Sequence, residues 1–106
     1  METIELTLPA TQTLTRDVHV GVVASGDLEV LLTPHDRTDP AGESTAEIRL
    51  RTTVDGYGVL WERVLHRALA DGAYAARYEI NDSGATPGMV TLRLAQAAEA
   101  ARGGAA

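Results

Sequence analysis

The sequence has 106 residues, a length that suits one domain with a modest core and is too short for two. Its formal net charge is −6, which makes nucleic acid a poor partner and favours docking to basic patches on other proteins. The sequence contains no cysteine and no lysine, which excludes disulfides, thiolate metal sites and lysine-linked biotinyl or lipoyl arms. If the protein carries a group covalently, a hydroxyl must hold it.

No segment suggests a membrane or export. The first ten residues lack the basic and apolar regions of a signal peptide, and no stretch reaches the roughly 20 apolar residues of a membrane span. We therefore predict a cytoplasmic protein without a membrane partner.

Alternation of apolar and polar residues predicts about five strands. They cover residues 4–8, 18–22, 28–32, 46–54 and 74–80. Between the fourth and fifth strands, apolar residues from Tyr57 to Leu69 recur at steps of three and four, which predicts an amphipathic helix. Asp55 is its expected cap and Gly72 its expected stop. The single tryptophan and the tyrosines are expected to be the largest residues in the core of the domain.

A second helix is predicted near the C-terminus. Thr86 followed by Pro87 is typical of a helix start, and the alanine-rich run from residue 94 to 101 favours a helix over a strand. Gly103 and Gly104 would end it. The elements together predict a single α+β domain over residues 1–106, with an antiparallel sheet of about five strands and both helices on one face. Residues 33–45 are expected to form a flexible loop, and residues 102–106 a frayed tail.

The second and third strands are expected to form a hairpin with Ser25 at its tip. A three-residue loop of Ser25, Gly26 and Asp27 would pair Ala24 with Leu28, Val22 with Val30, and Val20 with Leu32, so that all six face the core. A two-residue loop would scatter the apolar residues over both faces. Ser25 has small neighbours, so a modifying enzyme could reach its hydroxyl.

Other candidate sites are weaker. The three histidines show no ligand spacing, so no metal site is predicted, and no nucleophile elbow or base accompanies Ser25, so no catalytic residue is predicted. Nothing in the spacing places Asp27 beside Asp82, and turn formation is the ordinary explanation for both. Ser44 and Ser83 resemble plain polar loop residues. On local chemistry alone, a plain turn residue is also the commoner interpretation of Ser25.

Two segments carry a family resemblance. Residues 23–32 read VASGDLEVLL and residues 80–88 read INDSGATPG. Their order and spacing, the chain length and the intervening Trp61 helix resemble the acyl carrier protein, or delta subunit, of biotin-independent malonate decarboxylase. The second segment is shared with the related citrate lyase carrier, so that family remains an alternative. An unmodified interaction subunit of an enzyme complex is a further one.

The resemblance implies a carrier without catalytic activity of its own. The serine matching Ser25 would bind phosphoribosyl-dephospho-coenzyme A through a phosphodiester, and the thiol of this arm would hold acetyl or malonyl groups. The implied partners are the transferase and decarboxylase subunits of the complex and the transferase that attaches the arm. The first partner would exchange acetyl for malonyl, and the decarboxylase subunits would then release carbon dioxide.

Overall fold

In a computed structural model that describes residues 1–103, the chain forms six strands and two helices. In chain order they are β1 Glu2–Pro9, β2 Gln12–Thr13, β3 Val18–Gly21, β4 Asp27–Pro34, β5 Thr45–Thr52, α1 Gly58–Ala68, β6 Tyr74–Ser83 and α2 Pro87–Ala101. The sheet order is β1, β5, β6, β4, β3, and the short β2 pairs with β6. This arrangement confirms the predicted α+β class.

The sheet is mixed, so the predicted all-antiparallel arrangement is wrong. β5 pairs in parallel with β6, and β2 also runs parallel to β6, whereas the other pairings are antiparallel. The reason lies in α1, because a helix between two strands returns the chain to the end of the sheet where the first strand began. The crossover therefore places β6 beside β5 in the same direction.

One face of the sheet is buried under both helices, as predicted. Residues from five strands align across this face, and one such row contains Ile4, Leu50, Ile80, Val30 and Val20. Replacing a fully buried leucine of this kind by alanine costs about 2–5 kcal/mol in unfolding free energy. The opposite face is polar, and on it Arg49 lies across from Glu5 on one side and Glu79 on the other.

Helix α1 starts and ends differently from the prediction. Tyr57 is the N-cap residue, and no side chain caps the helix, so the predicted Asp55 cap is wrong. Gly56 separates Asp55 from the cap and has a φ of 90°, which turns the backbone before the helix begins. The helix ends at Ala68, and the Gly72 N–H closes a following turn onto the Leu69 carbonyl at 3.2 Å.

Helix α2 follows the sequence prediction. The Thr86 hydroxyl accepts a hydrogen bond from the Met89 N–H at 3.2 Å, and Pro87 occupies the first helical position. Residues Val90, Leu94, Ala97 and Ala101 are buried. Of the predicted tail, Arg102 is the C-cap and Gly103 follows it, while residues 104–106, and with them the predicted stop at Gly104, lie outside the described part of the chain.

The segment between β4 and β5 is shorter than the predicted 33–45 loop. Thr33 and Pro34 belong to β4, and Thr45 starts β5. Within the connection, the Asp39 carboxylate accepts hydrogen bonds from the N–H groups of Ala41 and Glu43, each at 2.9 Å. The flexibility of this loop stays a prediction.

Candidate functional site

Ser25 is the second residue of a β-turn between β3 and β4. The Asp27 N–H donates to the Ala24 carbonyl at 2.9 Å and closes the turn. Gly26 has a φ of 78°, and Ser25 has a negative φ, which is the combination that defines a type II turn. The Ser25 side chain is exposed. Its hydroxyl is therefore available to a second protein, as predicted.

The predicted hairpin register is wrong by two residues. Val20 pairs with Val30 rather than with Leu32, and β3 ends at Gly21. The apolar faces of the two strands still meet, because a shift of two keeps each side chain on its own face. Val22 and Ala24 leave the core, however, and Val22 is 54 % exposed.

The conformation of Gly21 explains why the pairing of β3 with β4 ends at this residue. Its φ is 78°, and a Cβ at this position would lie 2.1 Å from the Leu28 carbonyl oxygen. Only glycine combines this backbone conformation with so close an approach. The chain therefore turns away from β4 before Val22, and the connection becomes longer than three residues.

The turn that bears Ser25 is held from below by α2 and β6. Arg93 donates from Nε to Asp27 Oδ1 at 2.9 Å and from Nη2 to Oδ2 at 2.6 Å, a two-pronged ion pair. The Gly26 N–H donates to the Ser83 carbonyl at 2.7 Å. The hydrogen bonds from Arg93 and then from the Leu28 N–H hold the pKa of the Asp27 carboxyl below its usual value. Asp27 therefore stays ionised and positions the turn.

The second sequence segment lies directly beside the first. Asp82 pairs with Leu28, and Ser83 with Asp27, so the two segments are adjacent in the sheet while Asp27 and Asp82 are offset by one position in the register and form no pair with each other. Buried Asp82 accepts hydrogen bonds from the Thr52 hydroxyl at 2.8 Å and from two backbone N–H groups, those of Gly84 at 3.2 Å and Ala85 at 3.0 Å. Each carboxylate is thus engaged in holding the backbone around Ser25.

Metal-binding and membrane-spanning features were not expected from the sequence, and the structure of residues 1–103 bears on both. No three His, Asp or Glu side chains gather in a metal-binding arrangement among them. Neither helix in this range is long and apolar enough to cross a membrane. His19 is exposed and its Nε2 lies 3.0 Å from Glu29 Oε2 on the open sheet face.

The fold and the site define a class, a small α+β domain that presents one serine on a rigid, accessible turn. The sequence profile described as malonate decarboxylase delta subunit (MdcD), ACP, matches residues 15–101. The chain belongs to this family of malonate decarboxylase acyl carrier proteins. Of the two carrier families that the motifs left open, the matches name this one.

Individual relatives agree over most of their length. The chain is 43 % identical to the malonate decarboxylase acyl carrier protein of Azotobacter vinelandii, with 93 % of this chain and 95 % of that protein covered. It is 46 % identical over 85 residues to the protein of the same name from Malonomonas rubra, with 79 % and 71 % covered. A chain in the crystal structure of a Pseudomonas malonate decarboxylase hetero-tetramer in complex with malonate is similar with a TM-score of 0.83 and 38 % identity, over 94 % of this chain and 98 % of that one.

Proposed function

We propose that the chain is the non-catalytic acyl carrier subunit of a malonate decarboxylase, with phosphoribosyl-dephospho-coenzyme A bound covalently to Ser25. The observation that carries this proposal is the placement of Ser25 on an exposed turn that two other elements hold in place. The family supplies the chemistry of the reaction, and the turn supplies a site for the arm.

The residues around Ser25 fit a large group joined through a phosphodiester. Ser25 provides a primary hydroxyl, and, its two chain neighbours aside, no residue of the described range 1–103 lies within 4 Å of the position that a Cβ on Gly26 would occupy. Asp27, the nearest acidic side chain along the sequence, is neutralised by Arg93, which limits its repulsion of the phosphates of the arm. When bound, the arm supplies a terminal thiol that holds the acyl group as a thioester.

The carrier contributes position to the reaction. A tethered acyl group reaches successive active sites at a high effective concentration, provided that the arm spans the distance. A rigid turn at the base of the arm narrows the directions in which the arm leaves the protein. The ion pair of Arg93 with Asp27 and the hydrogen bond of Gly26 with Ser83 provide that rigidity.

Partners are expected around the turn. The similar solved chain is part of a hetero-tetramer, and we extend such assembly to this chain, with decarboxylase and transferase subunits and the arm-attaching transferase as partners in the cytoplasm. Val22 and Val23, just before Ser25, are both more than half exposed. Exposed apolar side chains beside an acceptor serine suit contact with a partner protein.

The test compares two serine variants in the reconstituted decarboxylase complex. Ser25→Ala is expected to fold and assemble normally but to abolish malonate decarboxylation. Ser83→Ala is the matched control, because Ser83 lies next to the turn and contributes only its backbone carbonyl to it. Full activity of the Ser25→Ala complex, or equal loss in both variants, would overturn the proposal.

A further inference from the structure

An apolar groove opens beside the turn that bears Ser25. Its cavity volume is about 240 Å³, and its lining includes Val54, Tyr57, Leu60, Trp61, Ala85 and Val90. Because Trp61 forms part of its wall, we call it the Trp61 groove. It lies between the start of α1 and the start of α2.

The rim of the Trp61 groove contains apolar side chains that stay about half exposed within the described residues 1–103. Tyr57 is 53 % exposed and Leu60 is 46 % exposed, although the helical pattern predicted both for the core. Trp61 and Val90 form a buried wall beneath them, with Trp61 only 8 % exposed. Exposed apolar surface around a concave site is typical of a surface that binds something.

The groove is continuous with the attachment turn. Gly84 lines it, and a Cβ placed on Gly84 would lie 4.0 Å from the Gly26 nitrogen. Gly26 directly follows Ser25. A group tethered to Ser25 therefore starts about one residue away from the groove, and tethering gives it a high local concentration there.

The size of the groove selects the part of the arm that fits. Sites for drug-sized ligands have volumes of about 300–1,000 Å³, and this one is smaller. It excludes the whole arm and suits the short acetyl-thioester end, which is mostly apolar, whereas the carboxylate of a malonyl group would be repelled by Asp82 in the lining. The phosphates of the arm would remain outside, in water.

We propose that the Trp61 groove is a resting site for the acetyl-thioester end of the arm attached to Ser25. This inference rests on the proposed function and extends it. While bound, the thioester is shielded from water, and a partner subunit must offer a better site to withdraw it.

The experiment uses the carrier with the arm attached and a carbon-labelled acetyl group on its thiol. Intact mass first establishes loading. Magnetisation transfer from the acetyl methyl protons to the rings of Tyr57 and Trp61 is then expected, together with a shift of the Trp61 indole N–H peak relative to Ser25→Ala. Trp61 is the only tryptophan of the chain, so this peak is unambiguous.

Two variants on adjacent positions of α1 provide the control. Leu60→Asp removes an apolar rim contact and is expected to lower the ratio of bound to free acyl group about tenfold. Val59→Asp introduces the same charge one residue away. The Val59 side chain is 68 % exposed and lies outside the groove lining, so this variant is expected to leave the ratio of bound to free acyl group unchanged. Both loaded variants should show the same added mass as the wild type.

The outcomes separate this inference from the proposed function. Loaded carrier without transfer to Tyr57 or Trp61 would overturn the resting site and leave the proposed function intact. A different outcome is a shift of the Trp61 peak when decarboxylase subunits are added to Ser25→Ala, which carries no arm. That result would show that a partner protein binds in the groove, and it would also overturn the resting site. An active complex whose carrier has no added mass would overturn both.

Discussion

Two glycines close to Ser25, Gly21 and Gly26, share a positive φ and differ in their surroundings. Gly21 and Gly26 both have a φ of 78°. Apart from its chain neighbours, a Cβ on Gly26 would meet no atom of residues 1–103 within 4 Å. A Cβ on Gly21 would lie 2.1 Å from the Leu28 carbonyl oxygen and 3.2 Å from Arg93 Nε. Alanine at the two positions therefore separates the cost of the left-handed backbone from the cost of the clash.

The magnitudes follow from these distances. An L-residue in the left-handed region costs about 1–2 kcal/mol, and loss of glycine flexibility in the unfolded chain returns about 0.4–1 kcal/mol. Gly26→Ala should thus lower the free energy of unfolding by about 1 kcal/mol. Gly21→Ala must also displace β4 backbone, and overpacking of this kind adds about 1–3 kcal/mol, for a total of about 2–4 kcal/mol.

Urea unfolding followed by circular dichroism measures both values, with the slope against urea concentration as a check on two-state behaviour. The result expected is a larger loss for Gly21→Ala than for Gly26→Ala. Equal losses would refute the claim that close packing beneath the Ser25 turn, rather than backbone conformation alone, requires glycine at position 21.

Three further outcomes are expected. Asp82→Asn should lower the free energy of unfolding by about 1–3 kcal/mol. The three donors, the Thr52 hydroxyl and two backbone N–H groups, use both carboxylate oxygens of Asp82, whereas an amide offers only one acceptor oxygen. A urea midpoint equal to that of the wild type would contradict this prediction. Since Arg93 lowers the pKa of Asp27 in the folded protein, this pair contributes stability above about pH 4, the usual pKa of the unfolded carboxyl, and the contribution is lost as the pH falls further. Asp27→Asn should therefore flatten the acid limb of a stability profile, and an unchanged limb would count against the ion pair. Burial raises the pKa of Tyr78, so folding should lose stability above about pH 10, where the unfolded tyrosine ionises, and Tyr78→Phe should remove that loss in alkaline unfolding curves.

Local patterns in the sequence predicted the elements and their faces well. The alternation in β4, β5 and β6 gave the correct buried sides, because one slip would have exposed a whole apolar row. The cap at Thr86 and the alanine-rich run gave α2, since both signals act within a few residues. These predictions depend on short-range chemistry that the sequence displays directly.

Pairing between distant segments was harder to predict. The parallel contact of β5 with β6 depends on the path of α1, and the early end of β3 depends on a contact between Gly21 and Leu28 in the folded protein. The placement of Ser25 could be predicted from its turn residues. The bond from Arg93 to Asp27 joins residues 66 positions apart, and no local signal at Arg93 pointed to it.

The exposed positions of α1 illustrate a different limit. The helical period identified Tyr57 and Leu60 as apolar, but it could not show that both side chains stay about half exposed in the folded chain. An amphipathic pattern identifies a surface that avoids water, and it leaves open whether the core or a ligand covers that surface. The rim of the Trp61 groove is an apolar surface of this second kind, which the core leaves partly exposed.

The most direct test of the account is the mass of the Ser25 peptide. The chain should be purified from an active malonate decarboxylase complex in its native host, digested, and analysed by mass spectrometry beside the Ser25→Ala variant. We expect the added mass of phosphoribosyl-dephospho-coenzyme A on the peptide that contains Ser25, and none in the variant. An active complex with Ser25 unmodified, or with the group on another residue, would contradict the account.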